Sequence, residues 1–231
     1  SNEQLLDRVK DIAKAGRMLG LKLAGNNLDN YLLGKKSRVN LPTELLAKNP
    51  LIVNHLGPDS NPKPDEETIR STMGKKTGIE HIVGEHHVVF LGGALKRLEG
   101  GNVQLGQQFN MHYEDSISFY TQGGGQYPDL AYGIGGCTVY SDVTAEIARE
   151  DGEILMHYLS WQSWIDDTYN FDKGKVALFA TGFCIPDSDL VRLKEAGYAK
   201  DFYMSTAKWS NPSKWLALWW PIPYRPSSQT K

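Results

Sequence analysis

The apolar residues of this chain change their period once, near residue 79, and that switch constrains the fold more than any other feature. Before it, Leu5, Leu6, Val9, Ile12, Ala13 and Leu19 recur at spacings of three and four, with Asp7, Arg8, Lys10 and Lys14 between them. This pattern predicts an amphipathic helix over about 3–23. Leu28, Tyr31, Leu32 and Leu33 predict a second short helical turn stopped by Gly34. Pro42 heads a further short helix through Leu45 and Leu46 that ends before Pro50. The stretch 57–64 is a loop by its prolines, glycine and asparagine. Pro64 then suits the first turn of a helix with Asp65, Glu66 and Glu67 at its positive end, closing at Gly74.

After Ile79 the segments are short, β-branched and aromatic, and they are separated by glycine-rich turns. Residues 87–91, 116–120, 136–140, 154–159 and 176–180 read as strands. Asp151-Gly152 between two apolar runs predicts a tight hairpin. One late helix is predicted over about 187–196, with Asp187 or Ser188 as its cap and Gly197 as its stop. Helices grouped before strands predict an α+β fold. The expectation is one domain over 1–231: a mainly helical part at 1–78, then a mainly antiparallel, curved, half-barrel-like sheet with one late helix at 79–231.

With 231 residues the chain is long enough to bury a core. Its net charge of −2 gives no electrostatic footprint for a nucleic-acid partner, and Lys35-Lys36 and Lys75-Lys76 are isolated pairs. No run approaches the roughly 18 apolar residues that span a bilayer, so no transmembrane span is expected. The chain begins Ser1-Asn2 rather than Met, as expected of a domain cut from a longer protein. Cys137 and Cys184 are too few for a zinc site, and both lie in apolar strand-like runs, so buried free thiols are expected.

Few residues point to chemistry. Gly133-Ile134-Gly135-Gly136 lacks the third glycine of a dinucleotide fingerprint and precedes a strand, so these glycines read as turn formers. Glu85-His86-His87 invites a metal reading. On a strand, however, adjacent side chains point to opposite faces, and no metal-ligand set is legible elsewhere. His112 has polar company in 110–115 but no diagnostic spacing. The most suggestive segment is 161–175. There Asp166, Asp167 and Asp172, the amide of Asn170 and the phenol of Tyr169 fall within seven positions at the end of a predicted strand. Carboxylates this close raise one another's pKa or share a cation, and either serves acid–base or phosphoryl chemistry. The alternative is a strand end turning through polar residues, with Asp172 capping the turn.

Gly135-Gly136-Cys137-Thr138-Val139-Tyr140, a second strand pair and Asp167-Thr168-Tyr169-Asn170-Phe171-Asp172 together resemble the C-terminal half of colicin M-type bacteriocins. They also resemble toxin domains at the ends of secreted interbacterial effectors, as do 27–32 and 193–202. The resemblance implies a helical front section and a curved antiparallel sheet leading into an Asp-x-Tyr-Asp element. It also implies a Mg²⁺-dependent phosphodiesterase that cleaves lipid II, a lipid-linked peptidoglycan precursor, in the periplasm of a target bacterium. Secretion and a cognate immunity protein follow from the same likeness. On this chain the implied catalytic residues are Asp167, Tyr169, Asn170 and Asp172. Asp167 and Asp172 would hold a cation or activate water, and Tyr169 and Asn170 would bind phosphate oxygens. The chain departs from the family at Asn170, where a second Asp is expected, and at Val176-Ala177, which replace a His-Arg pair. His157 precedes Asp167 by ten residues, about 33 Å along one straight strand. A different class of function is a non-catalytic module that recognises a protein or glycan through exposed aromatics: Trp161, Trp164, Trp209, Trp215, Trp219 and Trp220.

Overall fold

The computed structural model describes residues 1–57, 64–72, 84–171, 176–179, 183–217 and 219–224; side chains at 72, 176–179, 183 and 184 are outside the description. The described elements run α1 (Asn2–Met18), α2 (Lys22–Leu33), β1 (Arg38–Asn40), α3 (Thr43–Ala47), α4 (Pro50–Leu56), α5 (Glu66–Thr72), α6 (Glu85–Glu99), β2 (Gln108–Ser118), α7 (Pro128–Gly133), β3 (Gly136–Glu150), β4 (Glu153–Tyr169), β5 (Val176–Phe179), β6 (Phe183–Pro186), α8 (Asp187–Glu195), β7 (Phe202–Ser205), β8 (Trp209–Ser210), α9 (Ser213–Leu216) and β9 (Trp219–Pro221). The fold is α+β. An open seven-stranded sheet has the order β1-β7-β4-β3-β2, with β8 and β9 also paired to β4. β4 pairs antiparallel with β7, β8 and β9, and β1 pairs parallel with β7. β5 and β6 form their own antiparallel ladder. No described helix is long and apolar enough to cross a membrane.

The chain packs as two compact units, each assembled from three stretches. The first comprises 1–41, 116–138 and 165–207. Its α1 starts in a capping box: Ser1 Oγ accepts from the Gln4 amide at 3.3 Å, and Gln4 Oε1 accepts from the Ser1 amine at 2.8 Å. The expected single helix over 3–23 ends at Met18, because Gly20 turns the chain at φ +88°, and α2 begins at Lys22. α2 has no side-chain N-cap of its own. Its first amides, of Leu23 and Ala24, donate instead to the carboxylate of Asp129, at 3.1 and 2.8 Å. Cys137 is buried, as expected; the side chain of Cys184 lies outside the described residues. α8 forms where expected, but Pro186 rather than Asp187 or Ser188 takes the N-cap position.

The second unit comprises 42–115, 139–164 and 208–231. Asp151-Gly152 makes the expected two-residue hairpin between β3 and β4, with φ of 48° and 85° at the two turn residues. Along β3 the odd-numbered residues from Cys137 to Ile147 are buried and their neighbours are not. On β4 the buried positions are Ile154, Met156 and Tyr158, then Trp161, Ser163, Ile165 and Tyr169. The alternation slips by one residue at Leu159–Ser160, as at a bulge. That slip turns Trp161 and Ser163 inward. Trp161, Tyr158, Phe90 and Trp215 form the aromatic heart of the core.

One expectation fails outright here. Residues 87–91 are not a strand but the first part of α6. A five-residue apolar run cannot separate a buried strand from a buried helix. Over fifteen residues, Val88, Leu91 and Leu95 share a helical face, Glu85 lies in the first turn and Lys96 and Arg97 in the last, all as a helix requires.

Candidate metal centre

The side chains with the densest chemistry lie in the second unit, where three elements converge. His55 stands on the last turn of α4, Glu85 and His86 on the first turn of α6, and Asp115 on the core face of β2. Two glycines make the convergence possible. Gly57, which ends α4, and Gly84, which opens α6, both have positive φ, and a Cβ on Gly57 would sit 1.8 Å from Gly84 Cα. The Gly84 amide donates to the Asn54 carbonyl at 2.6 Å. Only residues without side chains can bring the two helix ends this close.

His55 Nε2 lies 2.9 and 2.8 Å from the two Asp115 oxygens, and His86 Nε2 lies 2.7 Å from Asp115 Oδ1. His86 is 0% exposed, Asp115 5%, Glu85 7% and His55 9%. His55 and Glu85 are the least buried of the four. Burial works against the Asp115 charge, but the hydrogen bonds from His55 and His86 outweigh it and hold the carboxyl well below the usual range. Burial pushes His86 down, toward its neutral form, against the pull of its aspartate. Glu85 receives the Tyr113 hydroxyl at 2.9 Å. Burial, and then the neighbouring Asp115 charge, push the Glu85 carboxyl up to about 7. Two buried carboxyls share one neighbourhood, and the one with two imidazole donors keeps the charge.

The network continues from the far side of His86. Its Nδ1 lies 2.9 Å from Ser141 Oγ, which is 2.9 Å from Ser163 Oγ and accepts the Trp161 indole N–H at 3.0 Å. Asn211 Nδ2 donates to Ser163 at 2.9 Å, and the Trp209 indole N–H donates to Asn211 Oδ1 at 3.1 Å. Because ionised Asp115 can only accept, His86 carries its proton on Nε2 and Ser141 donates to Nδ1. A serine hydroxyl can also accept. If Nε2 bound a cation, the imidazole proton would move to Nδ1 and Ser141 would receive it, so the same hydroxyl serves both tautomers.

The ligand atoms of His55, His86 and Asp115 all lie within 4.8 Å of one another. Two imidazoles and one carboxylate are the donor set of a divalent transition ion such as zinc, with positions left for water or substrate. His86 and His87 are neighbours on α6, not on the strand expected for them. On α6 the two imidazoles diverge, and His87 Nδ1 lies 2.7 Å from the Tyr158 hydroxyl instead.

The acidic segment expected to carry catalysis belongs to the first unit. Asp166, Asp167 and Tyr169 occupy the C-terminal end of β4, at a strand end as expected. Asp167 shares the core-facing side of β4 with Ile165 and Tyr169 and stands opposite Met204 of β7. It is half-buried, and burial pushes its carboxyl up to about 7. Asp166, on the other face, accepts the Tyr203 hydroxyl at 2.5 Å. Tyr169 is buried in ring contacts with Tyr31, Phe171 and Phe202. Asn170 is exposed just past the end of β4, and Asp172 lies outside the described residues. Of the tryptophans, Trp161, Trp215 and Trp220 are buried. Comparison with protein-family models, curated proteins and solved structures finds no match to this chain.

Proposed function

We propose that this chain is a metal-dependent hydrolase whose centre is His55, His86 and Asp115, with Glu85 as the neighbouring base. The observation that carries the reading is the convergence of three ligand atoms from α4, α6 and β2 on one buried point. A buried aspartate facing two imidazoles is costly to build unless its geometry does something, since a hydrophobic cluster of the same volume is often as stable. When bound, a zinc-class ion supplies Lewis acidity and a water of lowered pKa. Glu85, whose carboxyl is pushed up to about 7, would take a proton from an attacking water as the water oxygen bonds to the carbonyl or phosphoryl atom of an ester. It then returns the proton to the departing oxygen as the old bond breaks. The Tyr113 hydroxyl fixes the Glu85 carboxyl for both transfers. The test is hydrolysis of a panel of carboxylic and phosphoric esters before and after chelation. Activity should vanish on chelation, return with zinc, and fall by about 10²–10⁴-fold in Glu85→Gln. A Glu85→Gln protein as active as the parent would remove Glu85 from the mechanism.

A second reading is favoured by Asp167, whose carboxyl is held near neutral pH on the inner face of β4. Together with the colicin M-type likeness of 167–172, it supports a secreted antibacterial toxin acting on a lipid-linked precursor in the envelope, with an immunity protein as partner. In that case the chain is toxic when exported to the bacterial periplasm, tolerated in the cytoplasm, and harmless as Asp167→Asn. Toxicity from the cytoplasm alone would count against this reading.

A further inference from the structure

We propose that the outward face of β2, β3 and β4 in the second unit carries a binding groove for a neutral saccharide. It is separate from the metal centre, because residues 112, 142 and 162 alternate with the core-facing residues 113, 141 and 163 along the same strands.

A groove of about 440 Å³ opens on this face. That volume is within the range of small-molecule sites. Beside Met111 and Val143, the residues lining the groove are Asn110, His112, Asp142, Thr144, Ser160 and Gln162. Two amides, two hydroxyls, a carboxylate and an imidazole offer donors and acceptors in close alternation, the pattern that vicinal hydroxyl groups match. The groups are held in place. Thr144 Oγ1 donates to Asn110 Oδ1 at 2.8 Å, and Asp142 is clamped between His112 Nδ1 at 2.7 Å and Lys208 Nζ at 3.0 Å. Beside the groove, Tyr140 and Trp164 stack at 5.0 Å, and Lys208 Nζ lies 3.9 Å above the Trp164 ring. His112 lies 6.1–6.2 Å from both rings.

Charge decides the ligand class. Lys208 and His112 are matched by Asp142 and Glu114, with His112 Nε2 3.3 Å from Glu114, so the groove favours neither an anion nor a cation. Its polar side chains give an apolar ligand little to bury against. What remains is a neutral molecule rich in hydroxyls, bound mainly by hydrogen bonds and therefore weakly, with Kd on the order of millimolar.

The test is a titration of the ¹⁵N-labelled full chain with N-acetylglucosamine, chitotriose, glucose, cellobiose and maltotriose, with inorganic phosphate as the competing class. At least one saccharide should give saturable amide shifts confined to 110–112, 142–144 and 160–162. Affinity should fall at least about tenfold in Gln162→Ala, an exposed position whose change leaves the core intact. Asp142→Asn should weaken binding as well. The proposal is overturned if no saccharide saturates these amides at about 50 mM, or if phosphate binds there more tightly than every sugar. Stripping metal should leave the shifts unchanged, so failure here and failure of the hydrolase reading are read separately.

Discussion

The hydroxyl of Ser141 lies 2.9 Å from Nδ1 of His86, so both nitrogens of a fully buried imidazole are engaged, one by Ser141 and the other by Asp115. This fixes the ring's orientation and, through the serine's ability to donate or accept, lets the proton change nitrogens without moving an atom of the core. Ser141→Ala would leave His86 Nδ1 and the Trp161 indole N–H without their partner. The expected loss is about 1–3 kcal/mol in urea denaturation, with zinc affinity lowered about 10–100-fold. Unchanged stability and unchanged affinity would show that the hydroxyl has no role in holding the ring.

The contact between Gly57 and Gly84 makes a second prediction, separable from ordinary backbone strain. Gly57→Ala places a methyl 1.8 Å from Gly84 Cα at a residue with φ +88°. Gly152→Ala meets nothing within 4 Å at φ +85°. Strain alone costs about 1–2 kcal/mol, which is the expectation for Gly152→Ala. Gly57→Ala should cost more than about 3 kcal/mol and also weaken metal binding, because α4 and α6 must separate. Equal destabilisation of the two variants in chemical denaturation would mean that the close approach is not required.

Asp167 gives the fold a dependence on pH. Its carboxyl is raised from 3.8 to about 7 in the folded chain, chiefly by burial. Between those values the native state keeps a proton that the unfolded state has lost, so stability is full below about pH 4 and falls as pH rises through 7. Asp167→Asn removes the effect. In urea denaturation it should leave the unfolding free energy unchanged at pH 4 and raise it at pH 8, by on the order of 1 kcal/mol once solvent screening of a half-buried group is allowed for. A variant less stable than the parent at pH 8 would mean that the carboxylate has a stabilising partner.

Much of the architecture was legible in the residues, and the reasons it stops are physical. The α+β class, the N-terminal helices, the Asp151-Gly152 hairpin and the late helix follow from local periodicity and turn chemistry. α6 did not, because His87-Val88-Val89-Phe90-Leu91 is too short a window to choose between periods. Of the candidate centre only Glu85-His86 stood out, for another reason. His55 and His86 are 31 positions apart and Asp115 a further 29, so no spacing motif joins them; chain reversal through α6 and β2 does. One signal was available. Asp115 falls in phase with Met111, Tyr113 and Ile117, and a carboxylate on the buried side of a strand must have partners. Conversely, the acidic run at 166–172 looks like a cluster in sequence, yet strand alternation sends Asp166 and Asp167 to opposite faces.

The central claim is that His55, His86 and Asp115 hold a divalent ion, and metal uptake tests it most directly. The purified chain, stripped with a chelator and dialysed against micromolar zinc, should take up one equivalent by elemental analysis. His55→Ala, His86→Ala and Asp115→Asn should each abolish that uptake, while Asp167→Asn should leave it intact. Folding of each variant is checked by circular dichroism. Among the three ligand changes His55→Ala is the most informative, since His55 sits at the edge of the cluster. The claim is contradicted if the stripped parent takes up no zinc, or if it takes up one equivalent that survives in folded His55→Ala and Asp115→Asn. Either result would leave the buried histidines and aspartate as a hydrogen-bonded network and nothing more.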